Sequence, residues 1–121
     1  MPVKRILVVD DSPTERHVLG ELLTRSGYQV ITAESGEESI SKAKTELPDL
    51  ILMDVVMPGM NGFQATRTIT RDDTTRAIPV IMCTSKNAET DKIWGMRQGA
   101  TAYLTKPIDH AELLQKISAL G

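Results

Sequence analysis

Four short apolar runs each stop at a polar residue. Ile6-Leu7-Val8-Val9 ends at Asp10-Asp11, and Leu50-Ile51-Leu52-Met53 ends at Asp54. Ile78-Pro79-Val80-Ile81-Met82-Cys83 ends at Thr84-Ser85, and Ala102-Tyr103-Leu104-Thr105 ends at Lys106-Pro107. Runs with no room for a polar face predict strands covered on both sides. A further stretch, Tyr28-Gln29-Val30-Ile31-Thr32, is less uniformly apolar, as an edge strand would be.

Between these runs the apolar positions change to helical spacing. Ser12-Pro13-Thr14-Glu15 opens a helix, with Ser12 at the N-cap, Pro13 in the first turn and Glu15 placed for a capping box. Val18, Leu19, Leu22 and Leu23 follow on one face, and Gly27 closes it. Ser35 with Glu38 starts a second helix, carried by Ile40, Ala43 and Leu47 and stopped by Pro48. Asn61 with Gln64 starts a third, through about Arg71, with a thin stripe of Phe63 and Ile69. A fourth runs from about Asn87 to Gln98 on Ile93 and Met96, closed by Gly99. Asp109 with Glu112 starts the last, with Ile108 and Leu113 as a hydrophobic staple and Leu113, Leu114, Ile117 and Leu120 as its face.

Strands alternating with helices over short connections predict an α/β fold, a doubly wound parallel sheet of five strands with helices on both faces. In such a sheet the functional crevice lies beyond the carboxyl ends of the strands. The chain's 121 residues predict one domain, residues 1–121. A net charge of -2 gives no electrostatic footprint for nucleic acid. Cys83 has no partner for a disulfide and reads as a buried thiol. No signal peptide or membrane span fits the pattern, so a cytoplasmic protein is expected.

The polar residues at the strand ends, Asp10, Asp11, Asp54, Thr84 and Lys106, should therefore face one edge. Singly, each has an ordinary explanation: acids at a helix start, a turn carboxylate, a strand-end hydroxyl, a solvated lysine. Their joint placement at four strand ends is what those explanations do not require. Clustered carboxylates resist ionising unless a cation joins them, and an all-oxygen set with few ligands suits Mg²⁺. With Lys106 as a second cation and Thr84 as a hydroxyl donor, the set matches what stabilises a phosphoryl group in transfer. Asp54 would be the nucleophile, forming an acyl phosphate.

With Asp10-Asp11, Asp54 before Met57-Pro58-Gly59, Thr84-Ser85 and Lys106-Pro107, the chain closely resembles the receiver domain of two-component response regulators over residues 4–120. The resemblance implies the flavodoxin-like (CheY-like) fold, with strand order 2-1-3-4-5 and five helices. It implies phosphorylation of Asp54 by a histidine kinase, with Mg²⁺ held by Asp11 and Asp54 directly, by Asp10 through water, and by the carbonyl of Val56. Lys106 would contact the phosphoryl group, and the Lys106-Pro107 peptide would be cis. Thr84 would move toward that group and Tyr103 would turn inward behind it.

Two positions depart from the family pattern: Val56 is apolar and Lys86 is basic, and both flank the path of an attacking water. Asp11 through Glu15, Met53 through Arg67, Glu89 through Ala100 and Tyr103 through Pro107 resemble the stand-alone receivers of twitching-motility (type IV pilus) chemosensory systems. That implies a CheA-like kinase as phosphodonor. With no helix-turn-helix or basic stripe, and the last helix ending at Leu120-Gly121, the expected output is binding of an unidentified downstream protein by a monomer. The surface expected to change is the fourth helix, fifth strand and fifth helix. The alternative is a phosphate sink for a shared kinase. A phosphatase-like enzyme would need an acid where Val56 stands, a vestigial receiver would not keep all five site residues, and a nucleotide binder would need a glycine-rich loop in place of Asp11-Ser12-Pro13. Trp94 stands beside the Ile93/Met96 stripe, either covering the helix flank or serving as a partly exposed binding residue. His17 and His110 read as surface residues.

Overall fold

All five apolar stretches form strands, and a helix follows each one. The structure, a computed structural model, describes residues 2–121. In chain order the elements are β1 (Arg5–Val9), α1 (Pro13–Arg25), β2 (Gln29–Ala33), α2 (Gly36–Glu46), β3 (Leu50–Met53), α3 (Gly62–Arg71), β4 (Val80–Thr84), α4 (Glu89–Arg97), β5 (Ala102–Thr105) and α5 (His110–Ala119). The strands are all parallel, in the order β2-β1-β3-β4-β5. This is the flavodoxin-like arrangement that the resemblance implied.

Side chains of a strand alternate between the two faces of its sheet. Leu7, Val9, Ile51, Met53, Val80 and Met82 therefore meet Ala43 of α2 and Phe63, Ala65 and Ile69 of α3 in one cluster. Ile6, Val8, Leu50, Leu52, Ile81 and Cys83 meet Leu19 and Leu23 of α1 and Leu113 and Ile117 of α5 in the other. β1 and β3 lie inside the sheet with both faces covered, which is why, beyond the partly buried Arg5 at the start of β1, their sequences carry no polar residue. β2, at the edge, is only partly buried.

Four helices differ in detail from the expected pattern. In α1, Val18 is exposed and only Leu19 and Leu23 of the expected face are fully buried. In α4 the anticipated stripe is turned outward, with Ile93, Trp94 and Met96 each nearly half exposed. Gly95 and Gln98 face inward instead. A β-carbon on Gly95 would come within 2.9 Å of the Tyr103 ring, so the smallest residue of the helix is the one set against β5. Leu47 is not on the buried face of α2. It is the exposed left-handed C-cap, with φ 45°. The thin stripe of α3 is completed by small residues, since Gly62, Ala65 and Thr66 are buried between Phe63 and Ile69.

The capping boxes expected at α1, α2 and α5 are not reciprocal, whereas the Asn61–Gln64 pair that opens α3 is. The Gln64 N–H donates to Asn61 Oδ1 and the Asn61 N–H donates to Gln64 Oε1, both at 2.9 Å. At α2 the Glu38 carboxylate reaches one residue further back, to the Glu34 N–H. At α1 Ser12 Oγ accepts from the Glu15 N–H. The Ser12 N–H is itself donated to Asp10 Oδ1 at 2.9 Å, which leaves Glu15 no cap to close. At α5 Asp109 accepts from the Glu112 N–H.

Candidate functional site

The backbone ladder of the sheet runs one step past the strands and fixes the residues beyond them. The Asp10 N–H donates to Ala33 O, the Asp54 N–H to Val9 O and the Lys106 N–H to Thr84 O, at 2.8–3.1 Å. Parallel pairing carries each of these residues to the same edge, so their side chains converge although up to 96 positions separate them. Carboxylate oxygens of Asp10, Asp11 and Asp54 all lie within 4.8 Å of one another, with Asp10 and Asp54 buried and Asp11 exposed.

Lys106 Nζ donates to Asp10 Oδ2 at 2.8 Å and stands 3.6 Å from Asp54 Oδ2. The Lys106-Pro107 peptide is cis, as the resemblance implied. The Val55 N–H donates to Asp54 Oδ1 at 2.8 Å, so one oxygen of Asp54 is pinned and the other faces the ammonium. Thr84 is fully buried, and its Oγ1 accepts from the Lys86 N–H at 3.4 Å.

Burial pushes the Asp54 carboxyl above the usual carboxylate range, and the neighbouring charge of Asp10 pushes the same way. Lys106, the Thr84 hydroxyl and the Val55 N–H oppose this without cancelling it. Burial pulls the Lys106 ammonium down, but its hydrogen bond to Asp10 and the charges of Asp54, Asp10 and Glu15 outweigh it, and the net shift is upward. A buried, negatively charged cluster holding a single lysine is short of positive charge. Its donor atoms are hard oxygens, which fits a small divalent cation.

The β3–α3 connection is shaped by glycine. Gly62 N–H donates to Val55 O at 2.9 Å, and a β-carbon on Gly62 would lie 2.0 Å from the Asp54 carbonyl oxygen. The start of α3 therefore rests directly on the backbone that presents Asp54. Gly59, with φ 75°, turns the chain beside it. Val56 and Lys86 are both exposed, and with Met57, Phe63 and Trp94 they line a groove of about 480 Å³ next to Asp54.

Tyr103 packs its ring against Gly95 and donates its hydroxyl to Lys86 O at 2.7 Å. Burial, with the charges of Asp91 and Asp54, pushes its phenol up to about 12. The Tyr103 side chain thus ties β5 to the β4–α4 connection that follows Thr84. Cys83 is buried, and desolvation raises its thiol to about 12, an inert group as expected. His17 and His110 are exposed, as expected.

Two side chains join the site that the sequence pattern did not assign to it. The Arg16 guanidinium donates to the Asp10 carbonyl at 2.7 Å and to Glu34 Oε1 at 2.9 Å, bracing the end of β1 against the segment after β2. Glu15 Oε2 lies 4.0 Å from Lys106 Nζ. Nothing in helical periodicity marks either residue, because their partners Asp10, Glu34 and Lys106 all lie outside α1.

Buried carboxylates at the switch point of a five-stranded parallel sheet, with a lysine at the end of β5, define a phosphoryl-accepting signalling module, and the chain belongs to the response regulator receiver domain family, whose model matches residues 6–118. Over 116 residues it is 57% identical to protein PilH of Pseudomonas aeruginosa, covering 96% of each chain. It is 44% identical over 116 residues to response regulator PleD of Caulobacter vibrioides, of which it spans 26%. Among solved structures, chemotaxis protein CheY4 of Vibrio cholerae superposes with a TM-score of 0.91 at 32% identity, covering 98% of this chain and 99% of that one. A chain of the CheX-CheY-BeF3-Mg complex of Borrelia burgdorferi superposes with a TM-score of 0.90 at 30% identity, covering 97% of this chain and 88% of that one. Receiver domains accept phosphate from histidine kinases, act as phosphoacceptor signalling proteins and bind downstream partners.

Proposed function

We propose that this protein is a phosphorylation-controlled binding protein of a type IV pilus chemosensory system, with Asp54 as the phosphoacceptor and a CheA-like histidine kinase as the donor. The observation that carries this reading is the environment of Asp54. One oxygen is held by the Val55 N–H, the other faces Lys106 at 3.6 Å, and two further carboxylates stand within ligand distance. The 57% identity to PilH supports the pilus assignment. Residues 1–121 would act as a single cytoplasmic unit, a monomer without nucleic acid or membrane among its partners. No described helix is long and apolar enough to cross a membrane.

Asp10, Asp11 and Asp54, with the Val56 carbonyl, would hold Mg²⁺, which supplies positive charge where the transferred oxygens gather. Asp54 Oδ2 attacks the donor phosphorus, and the bond from phosphorus to the donor histidine breaks. Lys106 shifts its ammonium from Asp10 toward the new phosphoryl oxygens, and Thr84 offers its hydroxyl from below. Tyr103 is linked to the backbone after Thr84 through Lys86, so a movement of Thr84 is felt at β5 and on the exposed face of α4. Ile93, Trp94 and Met96 stand there as the apolar part of an output surface. A phosphate-sink role uses the same chemistry without that surface.

The test is direct. Incubated with Mg²⁺ and acetyl phosphate, the protein should gain one phosphate by intact mass, and Asp54→Asn should gain none. Absence of the adduct, or an adduct on Asp54→Asn, would overturn the reading. The lifetime of the adduct is set beside it. Val56 offers no hydrogen bond to an attacking water, so Val56→Asn should speed loss of phosphate by roughly tenfold, the worth of one added hydrogen bond of about 1.4 kcal/mol. An unchanged or slower decay would show that Val56 does not limit hydrolysis.

A further inference from the structure

We propose that Glu15 is a specificity-determining residue of this site, a fixed negative charge at its mouth that disfavours free anionic phosphodonors. The inference rests on Asp54 being the phosphoacceptor. Glu15 stands where a helix N3 carboxylate would ordinarily turn back to the N-cap N–H. Here that N–H is already donated to Asp10 Oδ1 at 2.9 Å. Glu15 is released from the cap, and its Oε2 lies 4.0 Å from Lys106 Nζ. Asp10 and Asp54 face the same ammonium, so three carboxylates share one lysine.

The three are not equivalent. The Asp10 and Asp54 side chains are 3% and 6% exposed, and that of Glu15 is 41% exposed. Glu15 also lines, with Lys106, Pro107 and His110, a crevice of about 160 Å³ between α1 and the β5–α5 connection. It is therefore the carboxylate that solvent meets on the Lys106 side of the site. Lys106 is the cation that draws in an incoming phosphoryl group, and Glu15 offsets that attraction before the group arrives. A kinase that docks on the protein brings its phosphohistidine in by contact and is less sensitive to this charge. A small donor arrives by diffusion and feels it fully.

With acetyl phosphate the transfer is balanced without a proton. Asp54 Oδ2 forms a bond to phosphorus, the acyl oxygen–phosphorus bond breaks, and acetate leaves with the electron pair. A dianionic donor is opposed by Glu15 more strongly than monoanionic phosphoramidate.

The experiment measures the rate of phosphate addition by intact mass, with Mg²⁺, over a range of donor concentrations and salt, for the native protein and Glu15→Gln. Glu21→Gln, an exposed acid further along α1 paired with His17 and Arg25, is the control. At low salt Glu15→Gln should lower the donor concentration for half-maximal rate about threefold with acetyl phosphate, the scale of one unit charge in high dielectric. The gain should be smaller with phosphoramidate and should fade at high salt, while the saturated rate and Glu21→Gln stay unchanged. Glu15→Lys should extend the gain. An effect equal in Glu21→Gln, or independent of salt, or a slower reaction in Glu15→Gln, would overturn the proposal while leaving Asp54 as acceptor. No adduct on any of these proteins would overturn the acceptor reading itself.

Discussion

Gly62→Ala is expected to unfold the site and much of α3 with it. The added methyl would sit 2.0 Å from the Asp54 carbonyl oxygen and 2.9 Å from the Val55 α-carbon, both backbone atoms with no rotamer to yield. Relief requires α3 to lift off β3, which breaks the Gly62 N–H bond to Val55 O and strips cover from Phe63 and Ile69. Overpacking against rigid backbone costs about 3 kcal/mol. For a chain of this size that corresponds to a fall in Tm of roughly 10–15 °C. Phosphate addition should slow by about a hundredfold even at a temperature where the variant is folded, because a shift near 1 Å misplaces a nucleophile by that much in rate. Thermal unfolding by circular dichroism and intact mass read the two effects. A Tm within a few degrees of the native protein would mean that the β3–α3 connection is softer than its packing implies.

Lys106→Met and Asp54→Asn should move stability in opposite directions when no Mg²⁺ is present. Lys106 is bonded to the buried Asp10 carboxylate and stands beside the buried Asp54, and removing it leaves two desolvated carboxylates without that counter-charge. Breaking such a buried pair costs about 3 kcal/mol. The Lys106 pKa is raised above its ordinary 10.5, so its contribution is complete at neutral pH and is lost only as pH rises through the folded value. Asp54 is shifted in the same direction, but its charged form at neutral pH is the unfavourable one. Its pKa is raised above the ordinary 3.8, so across that window the folded protein binds more protons than the unfolded chain, and stability falls as pH rises. Above the window the full penalty is present at neutral pH, and Asp54→Asn removes it and raises Tm. Added Mg²⁺ should stabilise the native protein and do little for Asp54→Asn. Melting curves at pH 7 with EDTA and with Mg²⁺ check all of these; a lower Tm for Asp54→Asn in EDTA would contradict the account.

The charged set and the glycine contact reach the site from the sequence by different routes. Asp54, Asp10 and Lys106 were legible as a set because each ends an apolar run, and parallel strands deliver their carboxyl ends to one edge. Gly62 was not marked, since a glycine after an N-cap asparagine reads as an ordinary first-turn residue. The backbone of β3 must pass beneath it before its lack of a β-carbon matters. The same blindness applies to α4. Ile93 and Met96 hold helical spacing, and a pattern of apolar positions places them inside. Gly95 faces the sheet instead because only a residue without a side chain leaves room for the Tyr103 ring. Hydrophobic periodicity weighs side chains, and it cannot weigh their absence.

Capping shows the same division at shorter range. Asn61 and Gln64 form the reciprocal pair their spacing predicts, because no third group competes for either N–H. Ser12 and Glu15 have the same spacing, but Asp10 takes the Ser12 N–H and Lys106 stands near the carboxylate left over. Local spacing states which bond is available. It does not state which neighbour from elsewhere will outbid it.

By itself the sequence determined that strands and helices alternate, that the sheet is parallel, and that Asp10, Asp11, Asp54, Thr84 and Lys106 share an edge. Those follow from periodicity and from what ends each apolar run, both written in consecutive residues. Only the tertiary structure decided how the charges are apportioned: Lys106 bonded to Asp10 rather than Asp54, one oxygen of Asp54 pinned by its neighbour's N–H, and Glu15 and Arg16 drawn in from α1. Charge interactions depend on separation and burial, and those are set by how β1, β3, β5 and α1 pack, not by any spacing along the chain.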